Sequence, residues 1–229
     1  MIISENLKIL EERIAGICES CGRKRSEIRL IGVSKTQTVD MVKEAVAAGI
    51  VDLGENKAQE LRDKSVQIDY KINWHFIGHL QTNKVKFVIK PAEFIHSVDS
   101  IKLAEEINNK AGQINKVQNV LLEVKTSDEE SKFGMTGKDK IFEVAEFCKD
   151  AENINLCGLM TIAPFVEDQK VIRNSFKNLR TLKEELNRSR FGLMHLSMGM
   201  TGDFEVAIEE GATILRIGTA IFGSRKKPN

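Results

Sequence analysis

Proline is scarce in this chain, 3 among 229 residues, and there is a single tryptophan and a single tyrosine. No Ser/Gly-rich tract interrupts it, and no long stretch lacks an apolar pattern. These absences leave no linker at which to divide the chain, so residues 1–229 are read as one domain. Nowhere do about 18 apolar residues run together, which excludes a membrane-spanning helix. Met1-Ile-Ile-Ser-Glu-Asn6 lacks the basic region and apolar core of a secretory leader, and a cytoplasmic protein is expected. An excess of one charge is missing too. Lys plus Arg number 34 against 33 Asp plus Glu, a formal net charge of +1, so no overall field would hold nucleic acid or an acidic membrane. The runs Gly22-Arg-Lys-Arg25 and Ser224-Arg-Lys-Lys-Pro-Asn229 read as solvated ends. The 4 cysteines are too few for a disulfide framework. Cys18 and Cys21 have the spacing of a redox or zinc pair, but no second close pair completes a metal site, and none is expected.

What the chain does have is 41% hydrophobic residues, enough for a sizeable core, in a repeating order. Apolar spacing predicts an opening amphipathic helix over Glu5–Glu19. Strands then follow at Leu30–Val33, Ile50–Gly54, Asn73–Gly78, Phe94–Val98, Val120–Val124, Leu156–Met160, Leu193–Ser197 and Ile214–Gly218. Helices lie between them at Val39–Ala48, Lys57–Gln67, Asn83–Ile89, Ile101–Lys110, Lys138–Lys149, Asp168–Arg188 and Asp203–Glu210. Thr38 is a natural N-cap for the first of these, and Gly49 stops it. Eight strands alternating with seven helices, joined by crossovers long enough for parallel pairing, point to a (β/α)8 barrel with the N-terminal helix as the eighth. An open doubly wound sheet is the rival, but no Gly-x-Gly-x-x-Gly follows the first strand.

Lys35 stands just beyond the first strand, at the end where parallel α/β proteins bind ligands. An amine with a reference pKa of about 10.4 is a poor nucleophile, but partial burial beside another cation lowers that value and permits Schiff-base chemistry. Two other strand ends suggest an anion. Ser197-Met-Gly-Met-Thr-Gly-Asp203 follows the seventh strand, and Arg216-Ile-Gly-Thr-Ala-Ile-Phe-Gly223 spans the eighth. Small residues at these turns can turn backbone N–H groups toward a phosphate. A phosphate opposite a reactive lysine suits pyridoxal 5′-phosphate (PLP), and it also suits a cofactor-free Schiff-base aldolase.

Six segments carry a closer resemblance: Ile31-Gly-Val-Ser-Lys35, Gly54-Glu-Asn-Lys57, Trp74–Lys84, Gly158-Leu-Met160, Leu196–Asp203 and Arg216–Gly223. Together they resemble the pyridoxal phosphate homeostasis protein family, relatives of the alanine racemase N-terminal domain, over almost the whole chain. The resemblance implies a PLP-binding barrel that holds the cofactor as a Schiff base on Lys35, with no catalytic residue and no established turnover. It places Ser197, Gly199, Gly218 and Thr219 around the phosphate, Arg216 opposite the pyridine nitrogen, and Asn56 and Met198 beside the cofactor. Lys132 falls where the racemases carry an arginine near the ring's phenolic oxygen. Transient contact with PLP-dependent apo-enzymes is expected, and the lack of a second domain favours a monomer. A racemase or decarboxylase on the same cofactor is the alternative.

The His-x-x-x-His spacing of His75 and His79 would suit a metal only on a helix. On a strand rising about 3.3 Å per residue, His75 and His79 stand roughly 13 Å apart, too far to share an ion. His79 is expected at the mouth and His75 inside. His96 and His195, within apolar strands, are expected to be interior residues with hydrogen-bond partners.

Overall fold

The structure, a computed structural model, describes residues 2–126 and 133–223. The strands are β1 (Arg29–Val33), β2 (Asp52–Glu55), β3 (Asn73–Phe76), β4 (Ala92–Val98), β5 (Gln118–Glu123), β6 (Ile154–Met160), β7 (His195–Ser197) and β8 (Ile214–Ile217). The helices are α1 (Ile2–Ser20), α2 (Val39–Ala47), α3 (Ala58–Gln67), α4 (Val85–Val88), α5 (Ile101–Gly112), α6 (Lys138–Asp150), α7 (Gln169–Arg188), α8 (Phe204–Glu209) and α9 (Thr219–Phe222). All strand pairs are parallel, and β1 through β8 close in order into a barrel. At the closing seam Ile31 pairs with Arg216 and Gly32 with Ile217.

Local signals explain the helices that wrap the barrel. Thr38 Oγ1 accepts the Met41 N–H at 3.3 Å, and Asp168 accepts the Lys170 N–H at 2.8 Å, so each satisfies a donor that its helix leaves open. The longest helix, α7, buries Ile172, Phe176, Leu179, Leu182 and Leu186 along one face. Truncating a fully buried ring such as Phe176 to alanine costs about 3–5 kcal/mol. The N-terminal helix takes the eighth outer position, as expected. It buries Ile3, Leu7, Leu10 and Ile14 and packs on α2, α8 and α9. Asn6 donates to the Ile221 carbonyl at 3.0 Å, which ties that helix to the last turn of the barrel.

Among the boundaries that shift from the apolar pattern, three have a visible local cause. The seventh strand begins at His195, because the Leu193 N–H bonds the Asn187 side chain at 2.6 Å and leaves the ladder. The eighth ends at Ile217, because Gly218 opens the helical turn α9. Between β3 and β4 the helix starts as a tight turn, Thr82–Lys84, before α4.

Parallel barrels fill their axis with bulky branched side chains. This one does so only in part. Ile31, Phe94, Leu121, Cys157, Met160 and Ile214 form a small apolar cluster of their own. The buried polar groups among the strands include Asp52, His75, His96, Ser197 and Arg216.

Candidate functional site at the barrel mouth

Lys35 projects from a backbone held on both sides. Its neighbour Ser34 donates its N–H to Gly54 O at 3.0 Å and its hydroxyl to Glu55 Oε1 at 2.7 Å. The buried Lys64 ammonium donates to Ser34 O at 2.7 Å, to Glu55 Oε1 at 2.7 Å and to Glu60 Oε1 at 2.8 Å. On the other side the Thr36 N–H donates to Glu60 Oε1 at 2.7 Å. Thr36 has φ 65, a conformation that β-branched residues rarely adopt and that persists only where surroundings impose it. Burial raises the Glu55 pKa against the opposing pull of Lys64 and Ser34. Lys64 therefore both pairs Glu55 and fixes the chain beneath Lys35.

A second network runs along the axis toward Arg216. Asp52 Oδ1 lies 2.9 Å from His75 Nε2, His75 Nδ1 lies 3.0 Å from His96 Nε2, and His96 Nδ1 lies 2.9 Å from Ser197 Oγ. Arg216 Nη1 donates to Ser197 Oγ at 2.6 Å, and Nη2 donates to Thr161 O at 2.8 Å. The two ends decide the direction of every bond between them. An arginine can only donate and an ionised carboxylate can only accept. Ser197 thus accepts from Arg216 and gives its own proton to His96, which donates to His75, which donates to Asp52. The charges agree with that order. Burial lowers the pKa of both imidazoles, His96 most, so both are neutral at pH 7. Burial acts to raise the Asp52 pKa, but the His75 hydrogen bond and Arg29 outweigh it, and the carboxyl stays ionised. Arg216 is pushed down to about 10 by burial and remains a cation.

At the C-terminal ends of the strands lies a cavity of about 460 Å³. Of the expected site residues, Lys35, Asn56, Arg216, Gly218 and Thr219 line it, and His79 joins them. Ser197, Met198 and Gly199 are placed differently, buried behind its wall. The Ser197 hydroxyl faces the axis network rather than the cavity. Gly199 has φ +95, and a Cβ there would come within 2.6 Å of Ala207 Cβ, so only glycine lets the turn pack on α8. From that turn Met200, Thr201, Gly202 and Asp203 reach the cavity instead. Asn56 is set by a close backbone crossing, where a Cβ on Gly78 would lie 2.3 Å from Asn56 O. Lys132 lies outside the described residues. His75 and His96 are fully buried on the axis, and His195 is half-buried with Nδ1 3.3 Å from Thr213 Oγ1.

A carboxylate with no signal of its own in the sequence motifs also lines the cavity. Glu123, at the end of β5, lines the cavity at 5% exposure, and its Oε2 has no hydrogen-bond partner among the described residues. Burial, with Asp99 beside it and Arg216 opposing, pushes its pKa up to about 7. The rule that singled out Lys35, a polar side chain at a strand's C-terminal end, applies equally to Glu123.

Residues 6–226 match the family model for the alanine racemase N-terminal domain. The pyridoxal phosphate homeostasis protein of Aquifex aeolicus is 45% identical over 224 residues, covering 97% of this chain and 98% of its own. This chain belongs to the pyridoxal phosphate homeostasis protein family. The family member from Escherichia coli is 35% identical over 234 residues, with 97% of each chain covered. The structure of PipY from Synechococcus elongatus with PLP bound matches at a TM-score of 0.85 and 31% identity, covering 96% of this chain and all of that one, 100%. Clostridium difficile alanine racemase matches at a TM-score of 0.75 and 16% identity, over 97% of this chain but 58% of its own. That likeness shows the shared barrel alone.

Proposed function

We propose that this protein binds PLP through Lys35 and serves PLP homeostasis by holding the cofactor and passing it on. The observation that carries the reading is the convergence of Lys35, Arg216, Gly218 and Thr219 on one cavity, above a backbone that Lys64, Glu55 and Glu60 hold in place. The donor set fits the cofactor. When bound, PLP supplies an aldehyde that condenses with a primary amine, a ring that accepts hydrogen bonds, and a phosphate.

Lys35 is the amine. Arg216 carries five N–H groups, two of which are committed to Ser197 and Thr161, so it keeps donors for the ring nitrogen. The turns at 200–202 and 218–219 present backbone to the phosphate, in the manner of anion-binding nests. Ser197, Met198 and Gly199 serve from behind, Ser197 by orienting Arg216 and Gly199 by letting the turn close. Exposed Phe165, Val166 and Ile162, with Phe133 stacked on His79, rim the opening with apolar surface.

Binding is favoured over turnover by the same arginine. A guanidinium accepts no proton, so it cannot keep the ring nitrogen protonated as a carboxylate partner would, and the ring is a weaker electron sink. Tyr70, the lone tyrosine, is 53% exposed and precedes β3, at the opposite end of the strands from the mouth. No described helix is long and apolar enough to cross a membrane. The protein is read as a cytoplasmic monomer that meets PLP-dependent apo-enzymes transiently.

The test is a PLP titration followed by visible absorption, with wild type and Lys35→Ala. Wild type is expected to develop the yellow band of a lysine-bound aldehyde, and Lys35→Ala to lack it; a band of equal strength in the variant would overturn the assignment. A cofactor-free aldolase would show no band at all. Incubating the loaded protein with L-amino acids in D2O separates binding from racemase chemistry. Cα exchange on the order of 1 s⁻¹ or faster would reject the binding reading.

A further inference from the structure

The two sides of the cavity differ in charge. Lys35 and Arg216 stand on the β1 and β8 side, whereas Glu123 ends β5, four strands from β1 and so across the ring. Asp99 follows β4 beside Glu123, with Oδ2 3.6 Å from His79 Nδ1. Among the described residues neither Glu123 Oε2 nor Asn56 Oδ1, both buried, has a hydrogen-bond partner, and both residues line the cavity. Buried acceptors left unpaired cost free energy that a ligand with N–H donors would recover. PLP offers chiefly acceptors: a phosphate, a phenolic oxygen and a ring nitrogen that faces a donor-only arginine. These acceptors call for a second ligand, and that ligand must donate.

We propose that Glu123 forms a subsite for the ammonium group of an incoming primary amine and is the base that deprotonates it. The proposal rests on Lys35 as the cofactor's anchor and adds the route by which the cofactor leaves. An ammonium must lose a proton before its nitrogen can attack a carbon. Ionised Glu123 takes that proton, and the Lys35 nitrogen regains one by way of solvent in the cavity as it departs. One C–N bond forms for the one that breaks, so atoms and charge balance without an oxidant or a co-reactant. Exposed Phe165 and Val166 and the partly exposed Ile162 offer the amine's carbon chain an apolar approach. Ligand chemistry is thus a primary ammonium on a slender aliphatic chain, from a free amino acid or from a lysine side chain.

A pKa of about 7 puts Glu123 where it can both take and return a proton near neutrality. Among the described residues, Asp99 after β4 and Arg216 on β8 act on it, and His79 after β3, Asp203 after β7 and Lys35 after β1 share the cavity.

The test has two arms. In the first, without cofactor, the Glu123 carboxyl is followed by ¹³C NMR through a pH titration with n-butylammonium chloride or n-butanol. The ammonium is expected to lower the titration midpoint and the alcohol to leave it; a midpoint that the ammonium does not move overturns the subsite, whatever Lys35 binds. In the second, release of PLP from the loaded protein is timed with and without n-butylamine, each variant against its own amine-free rate. Glu123→Gln is expected to lose about tenfold or more of the amine-dependent rate, and with it the rise through neutral pH; Glu123→Asp is expected to restore part of both. An amine-dependent rate in Glu123→Gln equal to wild type contradicts the proposal. L-Alanine compared with an Nα-acetyl-lysine amide tells the free amino acid from the lysine side chain. If the protein takes up no PLP, the reading of Lys35 falls, and the first arm still decides on the subsite.

Discussion

The axis of the barrel and its mouth hold similar side chains under opposite hydrogen-bond conditions. Along the axis each of Asp52, His75, His96, Ser197 and Arg216 has a partner within 3.0 Å. At the mouth Glu123 Oε2 and Asn56 Oδ1 have none among the described residues. A satisfied polar chain rigidifies what it supports, and here it supports Arg216. Unsatisfied groups are tolerated where a ligand completes them. The contrast separates residues that position the site from residues that act in it, although both sets are buried and polar.

The largest effect is expected beneath Lys35, where the buried Lys64 network supports the mouth. Lys64→Met removes the cation that pairs Glu55 and holds Ser34 O. Breaking one partner out of a buried pair costs about 3–5 kcal/mol, so urea unfolding should show a loss of that order, with weakened PLP uptake. A variant as stable as wild type would mean that the network holds nothing.

Glu123→Gln reverses the sign. The folded protein binds the Glu123 proton more tightly, at about 7, than the unfolded chain does at the ordinary 4.5. Stability from this group is therefore full below pH 4.5 and lost as pH rises through 7. The amide escapes that loss. Glu123→Gln should match wild type near pH 4.5 and exceed it above 7, by on the order of 3 kcal/mol, in melts run across pH. A gap independent of pH would contradict the buried, unpaired carboxyl.

Ser197→Ala breaks the axis chain at its last link, leaving His96 Nδ1 and Arg216 Nη1 without that partner. The expected cost is about 1–3 kcal/mol, and ¹⁵N NMR of the imidazoles should show both histidines protonated on Nε2 in wild type. Nδ1 protonation of His96 in wild type would reverse the order of donors. Smallest is Tyr70→Phe, at an exposed position far from both networks, which should stay within about 0.5 kcal/mol of wild type by thermal melting.

Much of this was legible in the sequence. Alternating apolar runs gave the barrel, Thr38 its cap, and the end of the first strand gave Lys35, because strand and helix periods are local properties. His75 inside and His79 at the mouth followed from the rise of a strand. The Lys64 network was not legible. Glu60 and Lys64 make an ordinary i,i+4 pair on paper, and only the closed barrel brings them against Ser34 and Thr36. The family resemblance set Ser197 among the residues around the phosphate. Its side chain points to the axis instead, a matter of strand register that a three-residue strand leaves open.

The central claim, that Lys35 is the amine to which this mouth is built, is tested most directly by borohydride reduction of the PLP-loaded protein, then proteolysis and mass spectrometry. The expected result is one cofactor per chain, fixed on the peptide that carries Lys35. Cofactor fixed on another lysine, with the Lys35 peptide unmodified, would contradict the account.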